Sequence, residues 1–304
     1  MKKFKFRGHE TFFIRKGWIS KGIKNVKKDP HVFMGKNSES IDTLGMGSNM
    51  VKSLRYWLQA VGVTTENTSG KRKQTLTKFG EIIDYYDKYI EEMGTLWLLH
   101  YKLATNKEEA TAWYFFFNVF MNVEFNREDF IIKLKDFIRE NGQKEVSERA
   151  LEDDYNCILN TYISKTRMRE GKIEPENNID CPLGELKLLD ISNKKDKIYK
   201  KSFIKQTDIH PLIVLSVIID QRKEEETEIK ISSLQNDEKN VCKIFKLDII
   251  NLLNILYKLE KMGYINVVRT AGLDVIRLKK NISFLECVEK YYKSINNIEN
   301  TEME

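Results

Sequence analysis

Cysteine is scarce in this sequence, and its four cysteines lie far apart with no C-x-x-C pair among them: Cys157, Cys181, Cys242 and Cys287. This spacing excludes a zinc site built from paired thiolates and a secreted disulfide framework. No stretch approaches the ~20 apolar residues of a membrane span, and no apolar segment of a signal peptide follows the charged N-terminus. We therefore expect a cytoplasmic protein with free thiols and no membrane partner.

Signatures of common catalytic and nucleotide-binding sites are also missing. The sequence contains no H-E-x-x-H, no Gly-rich phosphate loop and no G-x-S-x-G. The pair Gly45 and Gly47 lacks the Lys-Ser/Thr that follows the glycines of a phosphate loop. We therefore predict no catalytic residues, no bound metal and no cofactor.

The charge is distributed unevenly along the chain. The first 80 residues contain 17 Lys and Arg against 5 Asp and Glu, a net charge of +12, whereas the other 224 carry −6. A cationic N-terminal region favours an anionic partner, and a phosphate backbone is the foremost example. The alternative is a lysine-rich segment that only keeps the chain soluble.

The most informative pattern lies between residues 42 and 90. Apolar residues at three- and four-residue spacing predict an amphipathic helix with Ser48 or Asn49 as its cap: Met50, Val51, Leu54, Trp57, Leu58 and Val61. A hairpin with a basic tip and a helix from Thr77 follow. This order is typical of a winged helix-turn-helix, whose recognition helix enters the major groove while the wing lies along the backbone.

Two later stretches repeat this order. Predicted helices over 126–141 and 147–163 precede a hairpin formed by 186–191 and 197–203. In the last stretch, Asp208 is expected to cap a helix with Pro211 near its start, and a short strand over 229–234 follows. A helix over 246–262, a hairpin (264–269 with 274–279) and a terminal helix over 283–295 complete the chain.

The predicted fold class is therefore mainly α with small β-hairpin wings (α+β), arranged as tandem winged helix-turn-helix-like units. We expect three domains. Residues 1–90 form an N-terminal arm plus a winged-helix domain, and 91–203 form a helical middle domain that is also winged-helix-like. Residues 204–304 form a C-terminal winged-helix-like domain with a terminal helix.

The predicted DNA contacts are polar and basic residues of the first unit. They are Ser48, Asn49, Lys52, Ser53 and Arg55 on the recognition helix, Lys71, Arg72 and Lys73 on the wing, and Arg7, Arg15 and Lys16 in the arm. Lys, Arg and polar groups at helix N-termini bind phosphates, whereas Asn and Arg can read base edges. The alternative for Arg55 is packing within its own domain.

A polar cluster near the N-terminus, His9 and Glu10 with Arg15, is open to three interpretations. It forms a hydrogen-bonded network that holds the arm, it contacts DNA, or it has a catalytic role with His9 as base and Arg15 as phosphate clamp. The acidic run Glu152-Asp153-Asp154 either binds a metal or forms a solvated helix face. His100 and His210 are expected to be buried or capping residues.

Several segments carry a resemblance to a known family. They are Phe6–Phe12 with Arg15, Gly17 and Trp18, then Asp29-Pro30 and Phe33, Leu44–Val51, Leu54–Trp57, Thr95–His100, Trp113-Tyr114, Asp180–Leu183 and Val241–Leu247. Together they resemble the bacterial family known as domain of unknown function 4007. Its members tend to lie in defence islands near genes for DNA phosphorothioation. The resemblance implies DNA as a partner and supplies no activity.

We therefore expect a non-catalytic DNA-binding accessory or regulatory protein of a bacterial defence or DNA-modification system. Its partners would be double-stranded DNA and other proteins of the same complex. The alternative is a protein-interaction scaffold of such a complex that makes no direct DNA contact.

Overall fold

The computed structural model describes residues 3–34, 37–67, 72–163, 181–223, 226–270 and 273–302. The fold is α+β, with mainly helices and small antiparallel sheets, as the sequence predicts. The chain forms two compact units, a first unit of residues 1–202 and a second unit of residues 203–304. In the described part of the chain, no helix is long and apolar enough to cross a membrane.

The first unit begins with the helices and the hairpin of its N-terminal part. They are α1 (Trp18–Lys28), α2 (Asn37–Leu44), α3 (Ser48–Ala60), β1 (Thr64–Glu66), β2 (Gln74–Leu76) and α4 (Lys78–Tyr86). Helix α1 is absent from the sequence prediction; it begins after Gly17, whose left-handed φ of 80° suits glycine. Its apolar side, including Ile19, Ile23 and Val26, is buried.

Helix α3 forms as its apolar spacing predicts, but its cap differs. Gly47 occupies the N-cap position without a side-chain hydrogen bond, so the prediction that Ser48 or Asn49 caps this helix is wrong. The following hairpin pairs Thr64 with Leu76 and Glu66 with Gln74.

Helix α4 packs closely against the residues that lead into the hairpin. Its predicted start at Thr77 is confirmed, because the Thr77 side chain accepts a hydrogen bond from the Gly80 amide. A Cβ at Gly80 would lie 2.1 Å from the Val63 carbonyl oxygen, so only glycine permits this approach.

The rest of the first unit is built around an aromatic core. Its elements are α5 (Met93–Thr105), α6 (Thr111–Asn118), β3 (Glu124–Phe125), α7 (Arg127–Glu140), α8 (Glu148–Tyr162), a 3-10 turn (Pro182–Leu186), β4 (Leu189–Asn193) and β5 (Ile198–Lys201). The strands form an antiparallel sheet in the order β3-β5-β4. Lys201 is buried in this core, where its Nζ donates to the carbonyl oxygens of Phe116, in the last turn of α6, and of Phe120, just beyond that helix. These bonds satisfy carbonyl groups that a helix end leaves unpaired.

The second unit has the order helix, strand, three helices, hairpin, helix. Its elements are α9 (Pro211–Gln221), β6 (Glu228–Lys230), α10 (Ile231–Asn236), α11 (Val241–Phe245), α12 (Ile249–Lys261), β7 (Ile265–Thr270), β8 (Leu273–Leu278) and α13 (Phe284–Glu302). The strands pair in the antiparallel order β6-β8-β7. Buried residues of α9 and α12, such as Leu215 and Leu256, form its core.

Three details of the second unit correct the sequence prediction. His210, not Asp208, caps α9, because its Nδ1 accepts the Leu212 amide while Asp208 turns back to Lys205. The predicted strand over 229–234 ends at Lys230, and α10 begins at the next residue, Ile231. Helix α12 begins at Ile249 instead of 246, because Lys246 adopts a left-handed conformation that stops α11.

Candidate nucleic-acid interface

The N-terminal arm, residues 3–12, lies against the middle of the first unit. The Phe4 amide donates to Gln143 Oε1 and the Lys5 amide to Thr111 Oγ1, both at 3.1 Å. The Arg7 amide donates to Asp154 Oδ1 at 2.8 Å. Backbone groups of the arm are thus satisfied by side chains more than a hundred residues away.

His9 is the buried centre of this attachment. Its Nε2 lies 2.7 Å from Asp154 Oδ1, and its ring stacks on Trp57 with a centroid distance of 6.1 Å. Since the Thr11 amide donates to His9 Nδ1 at 3.1 Å, the neutral ring carries its proton on Nε2 and donates it to Asp154. His9 is therefore held inside the protein, away from solvent.

The acidic run of α8 faces different partners. Asp153 pairs with Arg7 at 2.8 Å and Glu152 with Arg127 at 2.8 Å, while Asp154 is buried against His9. Burial raises the pKa of Asp154, and the hydrogen bond from His9 partly offsets that rise. The prediction that this acidic run forms a solvated helix face is therefore wrong for Asp154. In the part of the chain that the structure describes, no three His, Cys, Asp or Glu side chains converge as metal ligands.

Gly8 permits the arm to lie this close. A Cβ at Gly8 would meet the Tyr56 ring at 2.5 Å, well inside van der Waals contact. Arg7, Glu10 and Thr11 all have positive φ, so the arm turns tightly around His9. The sequence motif around His9 thus corresponds to a compact turn with a buried imidazole.

His100, a second buried histidine, has a separate set of contacts. Its Nδ1 lies 2.7 Å from the Tyr162 hydroxyl, and its ring packs edge-on against Phe117. His9 and His100 therefore have different partners. Burial agrees with the expectation for His100.

The predicted recognition helix, α3, is largely turned inward. Ser53 is buried and donates to the Phe12 carbonyl oxygen at 3.3 Å, and Trp57 Nε1 donates to the same oxygen at 2.8 Å. Arg55 makes a two-pronged ion pair with Glu66, at 3.0 Å from Nε and 2.5 Å from Nη2. This geometry favours the packing alternative for Arg55 and leaves Ser53 without access to solvent.

The exposed side of α3 opens onto a cleft of about 790 Å³ that contains both charge signs. The charged residues that line it are Lys5, Lys52 and Arg55 together with Glu10, Glu66, Glu108 and Glu109. Lys52 and Asn49 are exposed and Ser48 is half-buried. A polyanion that approached α3 along this cleft would meet four carboxylates.

Helix α1 presents the opposite electrostatics. Lys24 and Lys28 are one helical turn apart, on the side opposite its buried residues, and both are exposed. Within the described ranges neither has a carboxylate partner, whereas Lys27 pairs with Asp84 and Lys21 donates to the Leu44 carbonyl oxygen. Lys24 and Lys28 are not among the contacts predicted from the sequence, although their four-residue spacing places them on one side of a helix.

The wing lies next to the end of α1. His31 Nδ1 donates to the Arg72 carbonyl oxygen at 2.9 Å, and the Gln74 amide donates to the Pro30 carbonyl oxygen at 2.8 Å. Arg72 and Lys73 are exposed there. We call Lys24, Lys28, Arg72 and Lys73 the basic surface.

The remaining predicted contacts flank this surface or lie elsewhere. Lys16 is exposed just before α1, and Arg15 is half-buried with its guanidinium over the Phe12 and Trp18 rings. Arg7 is paired with Asp153. Lys71 lies outside the described residues.

All four cysteines are free, as the sequence predicts, and the structure shows that all four are buried: Cys157, Cys181, Cys242 and Cys287. Burial raises the pKa of the Cys242 and Cys287 thiols to about 12 each, and it also raises the pKa of Cys157. Thiols held in this way are poor nucleophiles.

Comparison with known proteins confirms the resemblance. Two crystal structures of SspB, one described as magnesium-ion-bound, superpose with TM-scores of 0.84 and 0.83. Each is 22% identical and covers 95% of this chain and 88% of its own, so the likeness shows a shared fold. Among proteins with curated functions, none matches the chain. The family model for proteins of unknown function DUF4007 matches residues 6–292, and the chain therefore belongs to this family.

Proposed function

We propose that the protein binds double-stranded DNA through the basic surface of its first unit. The observation that carries the proposal is the set of four exposed cations on α1 and the wing. In the described part of the chain these cations have no carboxylate partner, so binding a phosphate would break no existing ion pair. Proteins that neutralise several phosphates gain affinity by releasing condensed counterions.

The order of elements supports a winged-helix interpretation of both units. In the first unit three helices precede a two-stranded wing. In the second unit a strand and several helices precede a hairpin, and the strand pairs with the hairpin to form a three-stranded sheet. Such units place a helix or a wing on DNA. Here the cations favour α1 and the wing over α3.

The expected mode of contact is therefore to the DNA backbone. Arg55 is the residue of α3 best suited to read a guanine, and it is already held by Glu66 in bidentate geometry. Lysines bind phosphates as point charges without reading bases. We propose binding with little sequence preference of its own.

The role in a complex rests on family context and is also a proposal. We infer an accessory or regulatory protein of a DNA-modification or defence system, without a catalytic step of its own. The SspB neighbour binds magnesium in one crystal structure. In this chain Glu152, Asp153 and Asp154 are each engaged by Arg127, Arg7 or His9. These residues do not fit a metal centre, and no step through a metal is proposed.

The test is fluorescence-anisotropy binding of the full chain to a mixed-sequence duplex across a salt series. The variant Lys24→Glu/Lys28→Glu is expected to bind at least about tenfold more weakly at low salt. The slope of log K against log salt should fall by roughly two, about 0.9 for each lost phosphate contact.

The matched control is Lys144→Glu/Lys195→Glu. It changes the net charge equally at exposed positions of the first unit outside the basic surface. Equal losses in both variants would mean that only the overall charge attracts DNA. Absence of binding by the wild-type chain at low salt would overturn the proposed function.

A further inference from the structure

Helix α12 of the second unit exposes an apolar stripe. Ile250 is 69% exposed and Tyr257 40% exposed, and Leu253 is half-buried between them. The spacing i, i+3, i+7 places all three on one side of the helix, away from the buried Leu252, Leu256 and Leu259. A contiguous exposed apolar patch with polar residues around it is a feature of interaction sites, whereas singly exposed apolar residues are ordinary surface.

A groove continues this stripe. It measures about 600 Å³ and has both apolar and polar lining residues. Ile231, Ile249, Leu253 and Val275 are the apolar ones, and Lys230 and Arg269 supply positive charge. The groove and the stripe share Leu253, so together they form one surface that we call the α12 surface.

The charges around the α12 surface are mainly positive. Lys230, Lys258 and Lys261 are exposed and have no carboxylate partner among the described residues. The nearby acids are engaged: Glu260 accepts the Val267 amide at 2.7 Å, and Asp274 pairs with Arg269 at 3.2 Å. An apolar centre with a lysine rim is complementary to an apolar ligand with acidic flanks.

We propose that the α12 surface binds an amphipathic helix of a partner protein, with apolar residues along one side and Asp or Glu beside them. A helix laid in a groove is anchored by its own apolar side chains at i, i+3, i+4 and i+7, and here these would contact the stripe and the groove beside it. This site is separate from the basic surface, and its existence does not depend on DNA binding.

The same charges argue against two other occupants. A second copy bound with its α12 parallel to the first would bring Lys258 and Lys261 against lysines of the same rim, which is unfavourable. DNA would have to cover Ile250 and Tyr257, and apolar groups at the centre of a contact gain little from phosphates. A partner with acidic flanks satisfies both the stripe and the rim.

The test selects ligands with the full chain from a phage-displayed library of amphipathic helical peptides. The apolar positions of each peptide are fixed, and the flanking positions are randomised among Asp, Glu, Lys, Arg and Gln. Peptides enriched in Asp and Glu are expected. Their binding should weaken by about tenfold or more in Ile250→Asp, because a charge then replaces a central apolar anchor.

The matched control is Ile132→Asp, which changes an equally exposed isoleucine of the first unit, 61% exposed on α7. A second variant, Lys258→Glu/Lys261→Glu, should shift the selection toward basic flanks. Selected peptides that ignore Ile250, or that carry basic flanks on the wild-type chain, would overturn the proposal. The proposal would also be overturned if the wild-type chain self-associated in sedimentation, or bound duplex DNA, and Ile250→Asp removed that association or that binding.

Discussion

Residues 18–86 and residues 211–278 each place helices before a β-hairpin, but the two regions differ in what they expose. In the first region the solvent side of α1 is centred on Lys24 and Lys28. In the second the solvent side of α12 is centred on Ile250 and Tyr257. We infer that the choice of partner depends on the few side chains at the centre of an exposed helix face, because the two regions place helices and a hairpin in a similar order.

The buried sides of the two regions are much more alike. Ile19, Ile23 and Val26 in α1, and Leu252 and Leu256 in α12, bury the same kind of aliphatic surface. Each of these side chains contributes roughly 1.5–3 kcal/mol when fully buried. The difference in expected partner therefore has almost no counterpart in the cores.

Removing every cation of the basic surface should have the largest effect, because the first region would then lose the charges that distinguish it from the second. The variant Lys24→Glu/Lys28→Glu/Arg72→Glu/Lys73→Glu is expected to lose roughly a thousandfold in duplex affinity at low salt, because about four phosphate contacts disappear. Anisotropy measures the loss. The variant Ile250→Asp should bind the duplex like the wild type, and a comparable loss in Ile250→Asp would erase the distinction between the regions.

Asp154→Ala tests whether the stability of the first unit depends on the attachment of the N-terminal arm. Among the described residues, the second unit has no such arm. Removing this carboxylate leaves the buried His9 ring and the partly buried Arg7 amide without their acceptor. A buried polar group left without its hydrogen-bond partner costs about 1–3 kcal/mol. Denaturant unfolding followed by Trp fluorescence, which reports on Trp57 and Trp113 beside His9, should show a lower midpoint. An unchanged midpoint would contradict the structural role of the arm.

Ile250→Asp tests whether the exposed stripe of the second region serves binding and not stability. Because Ile250 is exposed, its substitution should change the free energy of unfolding by no more than about 0.5 kcal/mol. Binding of selected acidic helical peptides should nevertheless weaken by about tenfold, or ~1.4 kcal/mol. Thermal unfolding and peptide titration of the same sample separate the two effects, and a large drop in stability would identify Ile250 as a packing residue.

The pH dependence of Asp154 is the smallest expected effect. Burial raises its pKa in the folded chain, so the folded state holds this proton more tightly than the unfolded state. Its contribution to stability is therefore complete below the ordinary carboxylate pKa and falls as pH rises through the raised pKa, by at most about 1.4 kcal/mol per pH unit. The free energy of unfolding should be measured for the wild type and for Asp154→Asn between pH 4 and 7. The two values should be closest at the acid end, and the wild type should become less stable relative to Asp154→Asn as the pH rises.

Local patterns in the sequence were enough to predict many elements. The spacing of Leu54, Trp57 and Leu58 predicted α3, and Thr77 predicted the start of α4, because amphipathic periodicity and capping act over a few residues. Helix α1 has a similar pattern in Ile19, Ile23 and Val26, but the lysines between these residues obscure it. The basic surface that includes α1 is therefore not predicted from the sequence.

The site depended on contacts that local patterns do not encode. The partner of His9 is Asp154, 145 residues further on, and the partner of Arg55 is Glu66 across a turn. Neither spacing has a sequence signature, because tertiary packing brings these side chains together. The candidate recognition residues could therefore be named from the sequence, but which of them remain available to a ligand could not.

Lysine footprinting of the full chain with and without duplex DNA tests the central claim most directly. Acylation of exposed lysines, read by mass spectrometry, follows both regions in one sample. We expect DNA to protect Lys24, Lys28 and Lys73 and to leave Lys258 and Lys261 as reactive as before. Protection of Lys258 and Lys261 with unchanged labelling of Lys24 and Lys28 would contradict it.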